Sequence, residues 1–274
     1  MGCQYDAIKN YKMRQDQYQA LLQALLPIAR RAGEAIMAVY ALEESSVSHK
    51  ADQSPVTAAD HAAHQVLAEQ LQPLLPGCPV VSEEDEASHA QRQSTGRFWL
   101  IDPLDGTKEF IARNGEFTVN IALIEDGRSV LGVVFAPATG ELFWGGPGLG
   151  AFRQRAEETV SIAVASAQAD DVCRVVVSRS HLDAETQAVI DRLGPVSLVR
   201  AGSSLKFCRV AEGAADIYPR MGPTCEWDTA AAQAVLEGAG GVVLDVQGAP
   251  LRYGKAELLN PFFIAARDAT VIPA

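Results

Sequence analysis

Cysteine is scarce, and what there is lies badly placed for either of its usual structural roles. The 274-residue sequence has five, Cys3, Cys78, Cys173, Cys208 and Cys225, an odd number with no CxxC pair and no zinc spacing. Cys173 and Cys208 fall in apolar stretches and read as buried thiols. Histidine is equally sparse. His61 and His64 share one expected helix but lack the HExxH context of a zinc hydrolase. No apolar run reaches the roughly 20 residues that span a bilayer. The opening stretch MGCQYDAIKNYKMRQDQYQ is polar, without the apolar core of a signal peptide. Gly2-Cys3 is not followed by the Ser or Thr that a myristoylation signal needs. Cytoplasm is therefore the default location. Positive charge is short as well: 23 Lys and Arg against 34 Asp and Glu give a net charge of −11. That speaks against a nucleic-acid polymer as partner. An acidic protein that handles a phosphate must recruit cations, because a bound ion inverts the local field. The glycine-rich string GGPGLG lacks the Lys-Ser/Thr of a phosphate loop.

What is present is ordinary for a soluble globular chain, with 48% hydrophobic and 21% charged residues. There is no internal repeat and no low-complexity linker. The expected organisation is an extension over 1–18, an α+β half over 19–155 and an α/β half over 156–274, closely packed. Met13 is an alternative start. Helical spacing of Leu22, Leu25, Leu26, Ala29, Ala32, Ile36, Val39 and Tyr40 predicts a helix over 19–42, starting or kinking at Pro27. A polar loop over 43–55 leads to a second helix, opened by Thr57 and Asp60 as a capping box and ending near Leu75. Strands are expected at 80–81, 98–101, 118–124, 130–136 and 141–144, with 145–150 as loop and turn. The second half alternates strands (175–178, 196–200, 216–218, 242–244, 262–265) with helices (183–193, 203–212, 229–239).

Three segments carry chemistry. In VSEEDE, carboxylates follow directly on a short strand. In WLIDPLDGTKEF, an apolar strand delivers Asp102 and Pro103 forces a turn, so that Asp102 and Asp105 can face a common point with the Leu104 carbonyl between them. Hard oxygen ligands of this kind suit Mg²⁺. Gly106 allows close backbone approach, and the Gly106 and Thr107 N–H groups would cradle a phosphate if a helix begins there. The third segment is EWDTAAA. Singly, each has a bland reading: Glu83 to Glu86 a solvated turn, Asp228 a helix N-cap, Asp60 another cap. Lys206 alone would be a surface lysine.

Jointly these segments resemble the inositol monophosphatase superfamily of lithium-sensitive, Mg²⁺-dependent phosphatases. WLIDPLDGTKEF is similar to its first signature and WDTAAAQAVLEGAGG to its second. KADQSPVTAAD, VSEED, SRSH, GSSLKFCRVAEG and YPRMGPTCEWDTAAA resemble its 3'(2'),5'-bisphosphate nucleotidase branch, and the likeness runs from about residue 21 to about residue 263. The resemblance implies a layered α-β-α-β-α sandwich. It implies hydrolysis of the 3'-phosphate of 3'-phosphoadenosine 5'-phosphate to AMP, with the 5'-phosphosulfate nucleotide as a further substrate, in sulfate assimilation. One Mg²⁺ would be held by Glu83, Asp102, the Leu104 carbonyl and Asp105, a second by Asp102, Asp105 and Asp228, and a third, weaker ion by Glu83. Li⁺ and Ca²⁺ would inhibit. Thr107, oriented by Asp60, would help deprotonate the attacking water. Gly106, Thr107, Lys108, His181, Ser203, Lys206, Arg220 and Asp228 would contact the substrate. Glu84 is either a support for its neighbours or solvated.

An inositol or sugar monophosphatase of the same superfamily is the alternative, distinguished by its substrate. A catalytically silent regulator on the same fold would have lost ligands, and here every ligand position is filled. The resemblance leaves a homodimer open. It also raises peripheral association with the inner membrane, which an acidic chain without a basic amphipathic helix does not support.

Overall fold

A computed structural model of the chain describes residues 13–45, 55–166, 172–179 and 183–273. Helix α1, Gln15–Ser45, runs straight past Pro27, longer than its periodic core suggests. Pro27 is exposed and so is Gln23, whose carbonyl loses its helical partner to the proline. Water can satisfy that carbonyl, while Leu22, Leu25, Ile28, Ala29, Ala32 and Ile36 stay buried along the other face. Helix α2 is Pro55–Leu71, so Pro55 occupies its first position and Thr57 lies inside the helix, not at its cap. It stops four residues short of the expected end, in a turn that precedes Pro76 and Gly77.

These two helices cover one face of a seven-stranded sheet in the order β1-β2-β3-β4-β5-β6-β7. The strands are β1 (Val80–Ser82), β2 (Arg97–Asp105), β3 (Thr118–Glu125), β4 (Arg128–Ala136), β5 (Glu141–Gly146), β6 (Gly150–Arg155) and β7 (Glu158–Ile162). Only β1 and β2 pair in parallel. Between them lie a 3₁₀ turn, Glu86–Ser88, and the short helix α3, Gln91–Ser94. Helix α4, Thr107–Ile111, follows β2. The central strands are apolar on both faces, as strands covered on both sides must be. Along β2, Trp99 and Ile101 join the core under α1 and α2, and Phe98 and Leu100 join the core on the other side.

That second core is closed by α6 (Leu205–Ala211) and α7 (Glu226–Gly238). A Cβ added at Gly132 of β4 would lie 2.0 Å from the Ala231 carbonyl oxygen, so only glycine lets α7 pack this closely. Behind α6 and α7 lies a five-stranded sheet in the order β11-β12-β10-β8-β9, made of β8 (Cys173–Ser178), β9 (Val196–Ala201), β10 (Ile217–Arg220), β11 (Val242–Asp245) and β12 (Phe263–Ala266). Helix α5, Ala184–Asp191, covers its outer face through Val189 and Ile190. The layers read α-β-α-β-α, as the resemblance implies.

Three sequence expectations need correcting. The β6–β7 hairpin was not anticipated, because FRQRAEETVSI is charged and turns at Ala156 (φ 49°) without a glycine. Its Arg153 and Arg155, on the same strand face as buried Ala151, are paired with Glu212 and Glu141. Helix α7 begins at Glu226, three residues before Thr229. Cys208 is buried as expected, but Cys173 is only half-buried. Among the described residues, no helix is long and apolar enough to cross a membrane.

Candidate active site

The parallel β1–β2 pair ends beside the N-terminus of α7, and the three carboxylate segments meet there. Glu83 follows β1 directly, and its N–H donates to the Ile101 carbonyl of β2. Pro103 does not end β2. The strand continues to Asp105, with its register against β3 shifted: Asp102 pairs with Asn120 and Asp105 with Thr118. Three residues thus oppose two. Residues three apart on a regular strand point to opposite faces, and the inserted residue turns both aspartates to the α7 side. The Leu104 N–H closes the bulge onto Asp102 Oδ1 at 3.1 Å. Asp228 lies in the first turn of α7, and the helix cap is Cys225.

Carboxylate oxygens of Glu83, Asp102 and Asp228 all lie within 4.8 Å of one another. Asp102 is fully buried, and Asp105 and Asp228 are half-buried. Burial, then the charges of Glu83, Asp105, Asp228 and Asp60, hold Asp102 well above the usual carboxylate range. Glu83 is exposed at the edge of the cluster, yet partial desolvation, with the Asp105 and Glu84 charges, pushes it to about 7. Burial and Asp105 push Asp228 to about 7. Burial raises Asp105 too, against the pull of Lys206 and Ser204. Asp60 of α2, buried beside Glu84 and Glu83, is pushed to about 8.

Four carboxylates converge here with too little positive charge to neutralise them, and every donor is oxygen. That set fits a hard divalent cation.

The surroundings hold the ligands in place. Ser82, just before Glu83, is bonded to His64 Nδ1 through its hydroxyl and to His89 Nε2 through its carbonyl, both at 2.8 Å. His89 also packs on Trp227, the neighbour of Asp228, with ring centroids 5.0 Å apart. Glu84 accepts nothing from the ligands; its N–H donates to Ser82 Oγ and its carboxylate lies 3.9 Å from His61 Nδ1. The fully buried Glu226 accepts from the N–H groups of Gly254 and Lys255 and from Lys255 Nζ, with Arg92 Nε 3.3 Å away. Asn120, Ser204, His89 and Glu226 are the supports that the sequence reading missed. A polar Asn inside the apolar run FTVNIALI was the one visible signal.

Gly106 (φ 101°) precedes α4, so a helix does begin where a phosphate cradle was expected. A Cβ there would lie 2.0 Å from Ser203 Oγ. Ser203 itself has φ 46° and donates to the Asp105 carbonyl at 2.8 Å. Thr107 and Lys108 are exposed on α4, and α2, which carries Asp60, packs against α4. Lys206 is no surface lysine. It is buried in α6, its Nζ 5.7 Å from the centre of the Tyr218 ring. Burial lowers its pKa, Asp105 opposes that, and Arg220 adds repulsion. Arg220 Nη2 donates to the Pro223 carbonyl at 3.1 Å. His181 lies outside the described residues.

The chain is similar to known proteins over most of its length. The 3'(2'),5'-bisphosphate nucleotidase CysQ of Escherichia coli K12 is 50% identical over 245 residues, covering 89% of this chain and 98% of the relative. The CysQ crystal structure from Bacteroides thetaiotaomicron superposes with a TM-score of 0.82 at 41% identity, over 91% of this chain and 98% of that one. An inositol monophosphatase structure from Anabaena sp. PCC 7120 superposes at 0.70 with 27% identity, over 91% of each. The sequence model described as the inositol monophosphatase family matches residues 17–270, and with nearly the whole chain inside that match, the protein belongs to the inositol monophosphatase family.

Proposed function

We propose that the protein is a Mg²⁺-dependent 3'(2'),5'-bisphosphate nucleotidase that converts 3'-phosphoadenosine 5'-phosphate and water to AMP and inorganic phosphate. The observation that carries this reading is the convergence of Glu83, Asp102 and Asp228 oxygens within 4.8 Å, with Asp105 alongside. The 50% identical relative, itself named for this activity, supports the choice of substrate.

Glu83, Asp102, the Leu104 carbonyl and Asp105 would hold one Mg²⁺, Asp102, Asp105 and Asp228 a second, and Glu83 a third. Bound there, Mg²⁺ supplies positive charge for the phosphoryl oxygens and lowers the pKa of water. The chain's own residues do the rest. The N–H groups of Gly106 and Thr107 orient the 3'-phosphate. The Thr107 hydroxyl takes the proton of the attacking water and passes its own to Asp60, which packing of α2 on α4 keeps nearby. The P–O3' bond breaks opposite the incoming oxygen, and the ribose oxygen takes a proton from water beside it as it leaves. Burial of Asp60, with the Glu84 and Glu83 charges beside it, raises its affinity for a proton, and it receives the Thr107 proton in its carboxylate form.

Residues 19–155 then act as the metal-binding half and 156–274 as the substrate-binding half. Lys206 and Arg220, with Lys108, His181 and Ser203, would hold the second phosphate and the nucleoside. A buried lysine facing Asp105 suits a nucleotide better than an uncharged polyol, which favours this reading over an inositol monophosphatase. Phosphate release from 3'-phosphoadenosine 5'-phosphate and from inositol 1-phosphate, with Mg²⁺ and with added Li⁺ or Ca²⁺, tests it. Preference for the nucleotide and inhibition by Li⁺ are expected; equal or faster turnover of the inositol ester would overturn the substrate assignment.

A further inference from the structure

Two consecutive serines tie the substrate-side loop to the main chain of two carboxylate-bearing segments. Ser203 Oγ donates to the Asp105 carbonyl and Ser204 Oγ to the Asp228 carbonyl, each at 2.8 Å. Behind them stands Asn120 of β3, fully buried, whose Nδ2 lies 2.9 Å from Ser204 Oγ and 3.4 Å from Asp105 Oδ2. The amide orientation follows from its neighbours. The Ser204 hydroxyl donates its one proton to the Asp228 carbonyl, so it must accept from Asn120. Nδ2 therefore faces Ser204 and Asp105, and Oδ1 is the buried acceptor left without a partner.

From this geometry we infer that Asn120 and Ser204 form one positioning bridge that sets the distance between Asp105 and Asp228 and thereby the affinity of the cation site. The bridge joins three separately built elements: strand β3 of the first sheet, the loop entering α6, and helix α7. At Asp105 it reaches the carboxylate, where Thr118 Oγ1 also lies 3.5 Å from Oδ2, and at Asp228 it reaches the main-chain carbonyl. Asp105 ends β2 and Asp228 opens α7, so the bridge fixes the relative position of two separate elements before a cation arrives. Outer partners of this kind orient ligands, and losing one costs about 10- to 100-fold in metal affinity. Because Ser203 and Ser204 are neighbours, the same loop that meets substrate also fixes the ligands. The inference rests on the reading of the carboxylates as a cation site.

The test is a Mn²⁺ titration of the metal-free full chain, followed by calorimetry and by Mn²⁺ electron spin resonance. Wild type, Asn120→Ala, Ser204→Ala, the double variant and Asp102→Asn are compared, with thermal melts in EDTA to confirm folding. Each single variant is expected to bind Mn²⁺ about tenfold more weakly, and the half-saturating Mg²⁺ concentration for turnover is expected to rise by the same factor. The double variant should lose little beyond the worse single one, because members of one bridge are not additive. Unchanged Mn²⁺ affinity in both single variants, or losses that multiply in the double, would overturn the bridge. If Asn120→Ala does not fold, Ser204→Ala, which removes only a hydroxyl, decides alone. Wild-type Mn²⁺ binding that Asp102→Asn leaves untouched would instead refute the cation site itself.

Discussion

The main-chain N–H of Cys225 donates to Asp228 Oδ2 at 2.8 Å, so one oxygen of this carboxylate caps α7 while the group as a whole faces the cation site. An asparagine can still accept the Cys225 hydrogen bond through its carbonyl oxygen, but it brings no charge. Asp228→Asn is therefore expected to lower kcat by at least about 100-fold while the metal-free protein melts no lower than wild type. Asp228→Ala loses the cap as well, at about 1 kcal/mol. Turnover and melts in EDTA separate the two roles.

Removing repulsion among the four carboxylates should be visible as stability. Cation binding to the folded state alone adds about 2.7 kcal/mol at a hundredfold excess over Kd, or about 2–4 °C in Tm per kcal/mol. Mg²⁺ is expected to raise Tm, EDTA to reverse the rise, and Asp102→Asn to abolish it. Calorimetric scans over a range of Mg²⁺ concentrations provide the check.

Lys206 is buried, so its replacement should conserve volume. Lys206→Met is expected to cost about 10-fold or more in kcat/KM for 3'-phosphoadenosine 5'-phosphate, the scale of a charged hydrogen bond. It should cost clearly less for inositol 1-phosphate, which lacks the second phosphate. Parallel kinetics on the two substrates measure the difference.

Asp216 predicts the acid limb of stability. Burial alone would raise its pKa, but hydrogen bonds from Arg174, with the charge of Arg267, hold it below the usual carboxylate range. The folded pKa is depressed, so the stabilisation is fully present above the unfolded value near 4 and is lost as pH falls through the folded value. Asp216→Asn is expected to cost about 1–2 kcal/mol at pH 7, since it removes a buried charge from charge-assisted hydrogen bonds with Arg174 and Arg267, the latter keeping Asp268 3.4 Å away. Urea midpoints should show that difference shrinking below about pH 4.

How far the sequence revealed this site depends on how local each signal is. Asp102, Asp105 and Gly106 were legible because one strand, one bulge and one turn place them within five residues. Glu83 and Asp228 could be assigned to one site only through resemblance, since nothing local brings residues 145 positions apart together. The β6–β7 hairpin was hidden because its arginines look solvated and are instead paired across sheet and helix with Glu141 and Glu212. Lys206 looked like a surface residue because helical position alone does not show that α6 is enclosed between two sheets. Asn120 and Ser204, 84 positions apart, meet through one bond, His89 joins nearby Ser82 to distant Trp227, and no spacing rule announces them.

The central claim is that these carboxylates form the catalytic cation site of a phosphatase. Phosphate release from 3'-phosphoadenosine 5'-phosphate by Asp102→Asn at saturating Mg²⁺, beside wild type, tests it most directly. The account predicts loss of at least about 1,000-fold in turnover, about 4 kcal/mol of transition-state stabilisation, with the fold intact. Turnover near that of wild type would contradict it.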